Sequence, residues 1–144
     1  MAVLTNIVAA DDDEYESIGE SLRPMDEWSG LERRDIDTAK IATLHCLLTG
    51  DELDLALGRY EPVYISGEGA IVLRLADEVL EKLASFEEEA LEQVAEELAA
   101  TEEFELENWD SSEVIDLVTE LADLARLAEA QGQVLFVWMH PLLT

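Results

Sequence analysis

The sequence predicts an α+β domain, helix-rich and built around a small sheet, and three observations predict it. Short runs rich in β-branched and aromatic residues stand near both ends of the chain, at Ala2–Ala9 and Val134–Met139. Between them, apolar residues recur at helical spacing through stretches dominated by Ala and Leu. The length, 144 residues, is that of one domain, so 1–144 is read as a single unit.

Taken in order, Ala2–Ala9 (AVLTNIVA) reads as a buried strand. Asp11–Glu14 supplies cap and first-turn acids for a helix running to about Leu22, with Pro24 ending it. Met25–Gly30 reads as a loop. Asp37 caps a helix to Leu48, with Ile41, Leu44, Leu47 and Leu48 on one face and Thr49–Gly50 as its stop. Asp51–Leu57 adds a short helical turn. Gly58–Gly69 is a connection with one extended piece at Val63–Ile65, and Ala70–Leu73 is a strand. Asp77–Ala84 and Phe86–Ala100 are amphipathic helices, with Ser85 as a cap between them. A turn at Asn108–Ser112 precedes a long helix capped by Ser111 or Ser112. Its buried stripe is Val114, Leu117, Val118, Leu121, Leu124 and Leu127, and Gly132 ends it. Val134–Met139 closes the chain as a buried strand. The order strand, helices, strand, helices, strand is that of an α+β domain whose small sheet includes both terminal strands.

Charge narrows the function. There are 35 Asp and Glu against 8 Lys and Arg, a formal net charge of −27. Hydrophobic residues make up 49%, so the acids coat a folded domain and do not form a disordered tail. After Lys82 the only basic residue is Arg126, so the cations that usually accompany helix acids four residues away are scarce. Such a surface is repelled by phosphate backbones and anionic lipid, which argues against direct nucleic-acid binding and membrane association. No apolar run approaches the roughly 20 residues that span a bilayer. Ala2–Ala10 lacks the basic start and the length of a secretory signal. A single cysteine, Cys46, permits no internal disulfide, so a reducing, cytoplasmic location is expected.

The segment Leu31–Gly50 reads LERRDIDTAKIATLHCLLTG. It resembles the signature of the YfbM-like family, a bacterial group without an established function, in which L-D-[IL]-D-K-x-W-x-x-L-H is followed by L-L-T-G. Asp35, Ile36, Asp37, Leu44, His45, Leu48, Thr49 and Gly50 match. The spacing from Asp37 to His45 is one residue longer, and the family tryptophan is absent, with Lys40 or Ile41 near its place. A looser likeness runs through Glu78–Leu98 and the long C-terminal helix. The resemblance implies one α+β domain and no particular reaction.

Two groups of residues are candidates for function. Asp35, Asp37 and His45 form the constellation to test for chemistry, since paired carboxylates with a histidine can serve as acid and base or hold a divalent ion. The structural alternative makes Asp37 a helix cap, Asp35 a partner of Arg33, Arg34 or Arg59, and His45 a side chain bonded to a nearby carboxylate or backbone group. Cys46 follows His45 directly, so the two point about 100° apart on a helix and form no dyad. It reads as a small buried hydrophobe. The second group is an interface: Glu96, Glu97, Glu102 and Glu103 as an acidic field, with Phe104 and Trp109 as exposed anchors within it.

No phosphate loop, zinc spacing or nucleophile elbow is present, and neither cofactor nor metal is expected. The expected function is that of a non-enzymatic acidic intracellular binding domain. It would neutralise a basic protein partner in the manner of an immunity protein or inhibitor, the partner being a toxin or another protein that binds nucleic acid. The alternatives are a hydrolase-like or metal-assisted site at Asp35, Asp37 and His45, or an acidic coat reflecting a halophilic host.

Overall fold

The computed structural model describes residues 3–21, 23–67, 69–106 and 109–140. The two terminal runs form strands β1 (Leu4–Ala10) and β5 (Val134–His140), which lie side by side and antiparallel at the middle of the sheet. Their register runs from Leu4↔His140 to Ala10↔Val134. Neither run alternates apolar with polar residues, because both of its faces are covered. On β5, Leu135, Val137 and Met139 enter the larger core, while Phe136 and Trp138 enter a smaller one on the opposite face.

Strand β2 (Gly30–Arg34) pairs with the outer side of β1. Strands β3 (Tyr64–Ile65) and β4 (Ile71–Arg74) extend the sheet beyond β5, giving the order β2-β1-β5-β4-β3 with every neighbouring pair antiparallel. Helices α1 (Tyr15–Glu20) and α2 (Pro24–Glu27) cover the smaller core through Ile18 and Pro24. The larger core lies under α3 (Thr38–Thr49), α4 (Leu53–Arg59), α5 (Asp77–Ser85), α6 (Glu88–Ala99), α7 (Glu102–Glu105) and α8 (Ser111–Gln131). The α+β class and the sheet containing both terminal strands are as the sequence indicates.

Several local expectations are corrected. Asp11–Glu14 forms a turn before α1, closed by Glu14 N–H donating to Asp11 O at 2.9 Å. The acids there do not open a helix to Leu22, which itself lies outside the described residues. Pro24 begins α2 at its first position, where its missing N–H costs nothing, instead of terminating a helix. Ser85 does stand between α5 and α6 as expected, its hydroxyl donating to Lys82 O in the last turn of α5, while Glu87 holds the N-cap position of α6. Asp110, not Ser111 or Ser112, precedes α8. The expected turn at Asn108 lies outside the described residues. Strand β2 and helix α7 were unexpected.

Gly50 and Gly132 end α3 and α8 in the left-handed conformation at φ 82° and 68°, the role expected of them. Gly30 has a different role. A Cβ there would overlap the carbonyl oxygen of Ile7 and the Val8 side chain, so glycine lets β2 lie against β1. A Cβ at Gly19 would meet only the half-buried Tyr64 ring, which can move aside. Gly30→Ala is therefore expected to destabilise by about 2 kcal/mol, within the usual range for overpacking, and Gly19→Ala by less. Urea unfolding of the two variants checks the order.

Candidate functional site

Helix α3 begins at Asp37, whose Oδ1 accepts from Lys40 N–H at 3.0 Å, the N-cap bond the sequence indicates. Lys40 is buried. Its Nζ lies 3.8 Å from Asp37 Oδ2 and 5.8 Å from the centre of the Phe104 ring. Asp35 sits just past β2 with φ 64°, a left-handed conformation that aspartate tolerates. Its Oδ1 accepts from Val3 N–H at 3.0 Å, so its partner is a backbone group and not an arginine.

His45 lies eight residues beyond Asp37, about 12 Å along the helix axis at 1.5 Å per residue. The constellation Asp35, Asp37 and His45 is not brought together. The two aspartates act at the start of α3, and His45 faces a different set of groups beyond its other end.

His45 is completely buried, and both ring nitrogens are engaged. Nε2 is 2.7 Å from Asp51 Oδ2, and Nδ1 is 2.9 Å from the Tyr60 hydroxyl. Tyr60 Oη also accepts from Ala76 N–H at 3.3 Å, just before α5. One assignment of protons satisfies every group. Ala76 N–H donates to Tyr60, Tyr60 donates to His45 Nδ1, and His45 Nε2–H donates to the Asp51 carboxylate. The chain of bonds ties the end of α3, the end of α4 and the start of α5 together.

Arg59 completes the cluster. Its Nη1 and Nη2 donate to Glu78 at 2.8 and 3.2 Å, and Nη1 lies 3.8 Å from Asp51 Oδ2. Asp51 is held below the ordinary carboxylate range, first by the hydrogen bond from His45. Glu78 is lowered first by its hydrogen bonds from Arg59. Burial pushes the Tyr60 hydroxyl up to about 12, which keeps it neutral and able to donate. Burial likewise raises the Cys46 thiol, so this half-buried residue is no activated nucleophile.

The ligand atoms of His45, Asp51 and Glu78 lie within 4.8 Å of one another, a spacing that could hold a metal ion. The Arg59 guanidinium already supplies positive charge there, and His45 has no free lone pair while it donates to Asp51. Chemically the cluster is a closed hydrogen-bond network. Asp51 and Glu78 lay outside the expected constellation. The one sequence signal for Asp51 is its place just after the Gly50 that ends α3, and Glu78 comes from a distant segment.

The expected interface residues divide. Glu96 and Glu97 are exposed on α6, and Glu102 on α7, while Glu103 is half-buried. Phe104 is not an exposed anchor: it is 1% exposed and meets Trp109 edge-to-face at 5.2 Å between ring centres. Trp109 is half-buried against the larger core. Phe104 joins the larger core and Trp109 packs against that core, which seats α7 on the domain beside α3 and α6. The exposed apolar residue of the stretch is Leu106, at 77%.

No protein-family model matches the sequence, and no curated protein matches it. Among solved structures the chain is similar to the crystal structure of YfbM from Escherichia coli, a protein of unknown function. The identity is 15% and the TM-score 0.45, over 94% of this chain and 99% of that one. The similarity assigns no role to any residue. Among the described residues, no helix is long and apolar enough to cross a membrane.

Two predictions come from the His45 network. Tyr60→Phe removes one acceptor and one donor and leaves Ala76 N–H unpaired, so urea unfolding should show a loss of about 2 kcal/mol. Asp51→Asn keeps the acceptor but removes the charge. The folded state lowers the affinity of Asp51 for protons, so its charge stabilises above the unfolded value, near 4, and that contribution is lost as pH falls through the lower folded value. The stability gap between wild type and Asp51→Asn should be open at pH 6 and close at acid pH. A gap that widens on acidification would contradict the assignment.

Proposed function

We propose that this chain is an acidic binding domain, without a reaction of its own, that recognises and neutralises a basic protein. The distribution of charge carries the reading. Glu88, Glu89, Glu92, Glu96 and Glu97 on α6, with Glu102 and Glu105 on α7, are exposed, and none forms an ion pair among the described residues. The arginines with carboxylate partners serve the fold. Arg74 pairs with Asp12 and Asp77, and Arg59 with Glu78. Arg126 pairs with Asp123 and also donates to Ala84 O and Phe86 O, joining α8 to the α5–α6 turn. Negative potential is thus left uncompensated over α6 and α7, where it steers a basic partner toward the domain. Leu106 stands among these acids as an apolar contact.

Engagement of both His45 nitrogens supports the non-enzymatic reading. The Asp35–Gly50 motif supports membership of the YfbM-like family, and the lone half-buried thiol supports a cytoplasmic location. A surface acidic only through adaptation to salt would have no partner.

The test is capture from the source organism at low and moderate salt, with the captured protein identified. A basic protein should be retained at low salt. Reversal at Glu96→Lys, Glu97→Lys, Glu102→Lys and Glu103→Lys together should slow its association about tenfold or more. Retention indifferent to the reversals, or no partner at any salt combined with strong destabilisation at low salt, would overturn the proposal in favour of halophilic adaptation.

A further inference from the structure

Strand β2 is an edge of the sheet, and its outer side is covered by no other strand among the described residues. Its hydrogen-bond phase follows from the bonds flanking the β1–β2 ladder. Ala9 N–H donates to Ser29 O at 2.9 Å, and Asp35 N–H to Val3 O at 2.8 Å. With Ile7 opposite Leu31 and Thr5 opposite Arg33, the residues bonded to β1 are Ser29, Leu31, Arg33 and Asp35. In an antiparallel ladder the residues between them turn their peptide groups the other way. Gly30, Glu32 and Arg34 therefore offer N–H and C=O groups outward. Arg33 Nη1 donates to the Glu32 carbonyl at 2.8 Å, and the same side chain pairs with Glu120 on α8, to which it can retreat.

A hollow flanks this edge on each face of the sheet, and the two meet at Ser29–Gly30. Toward α8 the hollow measures about 270 Å³ and is lined by Leu31, Leu124 and Leu127 with Glu120 and Asp123. Toward α2 it measures about 550 Å³ and is lined by Met25 and Trp28 with Asp26 and Glu27. Each combines apolar surface with two carboxylates; in the α8 hollow Glu120 already pairs with Arg33 and Asp123 with Arg126, while Asp26 and Glu27 of the α2 hollow form no ion pair among the described residues. Side chains of a strand added to β2 would alternate between the faces. The one opposite Leu31 would enter the α8 hollow, and those opposite Gly30 and Glu32 would lie on the α2 side.

The geometry points to the β2 edge as a strand-addition site for an extended segment of a basic protein, which rests on the proposed binding role and names where the partner is gripped. Main-chain bonds to Gly30, Glu32 and Arg34 give affinity, and the two hollows select alternate side chains. Lys or Arg fits the α2 hollow, its stem lying on the Trp28 surface and its head reaching Asp26 and Glu27, while the α8 hollow, whose carboxylates are already paired with arginines, takes an apolar side chain on its Leu surface. A second copy of this chain would instead bring another −27 of charge to the edge.

The test uses the full chain and a capped nonapeptide of alternating Lys and Val as the probe, read by amide hydrogen exchange at low salt. The Gly30, Glu32 and Arg34 amides should exchange at least tenfold more slowly with peptide bound. Leu31 and Arg33, already bonded to β1, should not change. Glu32→Pro removes an outward donor and no backbone bond to β1, giving up only the Glu32 carboxylate that accepts from Asn6 Nδ2 at 3.3 Å, a substitution an edge strand accepts, and should weaken the peptide about tenfold. Asp26→Lys with Glu27→Lys should do the same, and serves if Glu32→Pro does not fold. Binding without the alternating protection, or no binding of the peptide, overturns the edge site, while capture that remains sensitive to the α6–α7 charge reversals leaves the binding role standing. Protection of these amides in the chain alone, with a doubled mass in solution, assigns the edge to a second copy and overturns the basic occupant.

Discussion

The pairing of β1 with β5 is the constraint on which the rest of the structure depends. These strands occupy the centre of the sheet, and each contributes to both cores. The β1–β2 and β3–β4 pairs join into one sheet only when β1 meets β5, with which β4 also pairs. The remaining strands only extend this pair: β2 on the free side of β1, then β4 and β3 on the free side of β5. Closing so long a loop costs entropy that only the burial around Ile7, Val8, Phe136, Val137 and Trp138 can offset. Helix placement then follows from the sheet. The apolar stripe of α8 runs across one face, and the short α1 and α2 cover the other.

A net charge of −27 puts a standing cost on this compact state, and the few cations are placed where they reduce it. Arg74 joins β4 to the turn after β1 and to the start of α5. Arg126 satisfies the carbonyls that α5 leaves exposed at its end. Arg59 stands between Asp51 and Glu78, where two carboxylates would otherwise repel each other beside a buried histidine. With the cations occupied in this way, the outer faces of α6 and α7 carry their charge without compensation. The acidic field over those helices and the stapled interior are two consequences of one composition.

The His45 network shows how a residue that looks chemical can be structural. Histidine beside carboxylates and a tyrosine is a familiar vocabulary for catalysis, but catalysis needs a nitrogen that a substrate can reach. Here the hydrogen bonds run in one unbroken direction, from Ala76 through Tyr60 and His45 to Asp51, and they occupy both ring nitrogens. What the network does is fix the mutual placement of α3, α4 and α5 at the side of the larger core.

Much of this was legible in the amino-acid order alone. Two-faced burial shows as short runs rich in apolar and β-branched residues without strict alternation, so both central strands were evident. Period-3.6 patterning marked α3, α5, α6 and α8, and the cap at Asp37 and the stops at Gly50 and Gly132 marked the ends of α3 and α8, because these are local preferences of backbone and side chain. The cap at Asp37 was legible from its place before the helix, although the same residue also stood in the candidate chemical constellation. Strand β2 was not, since Leu31-Glu32-Arg33-Arg34 carries one apolar residue and is a strand only because β1 lies beside it. The partners of His45 could not be read either. Asp51 follows a helix stop and Tyr60 and Glu78 come from later segments, so their meeting depends on how three helices turn. Phe104 fell on the buried side of α7 for the same reason: one exposed-looking aromatic in an acidic stretch carries no periodicity. Composition and local periodicity determined the class of fold, its central strands and its charge. Tertiary packing alone decided which side chains meet and which edge stays open, because those depend on contacts between segments far apart in the chain.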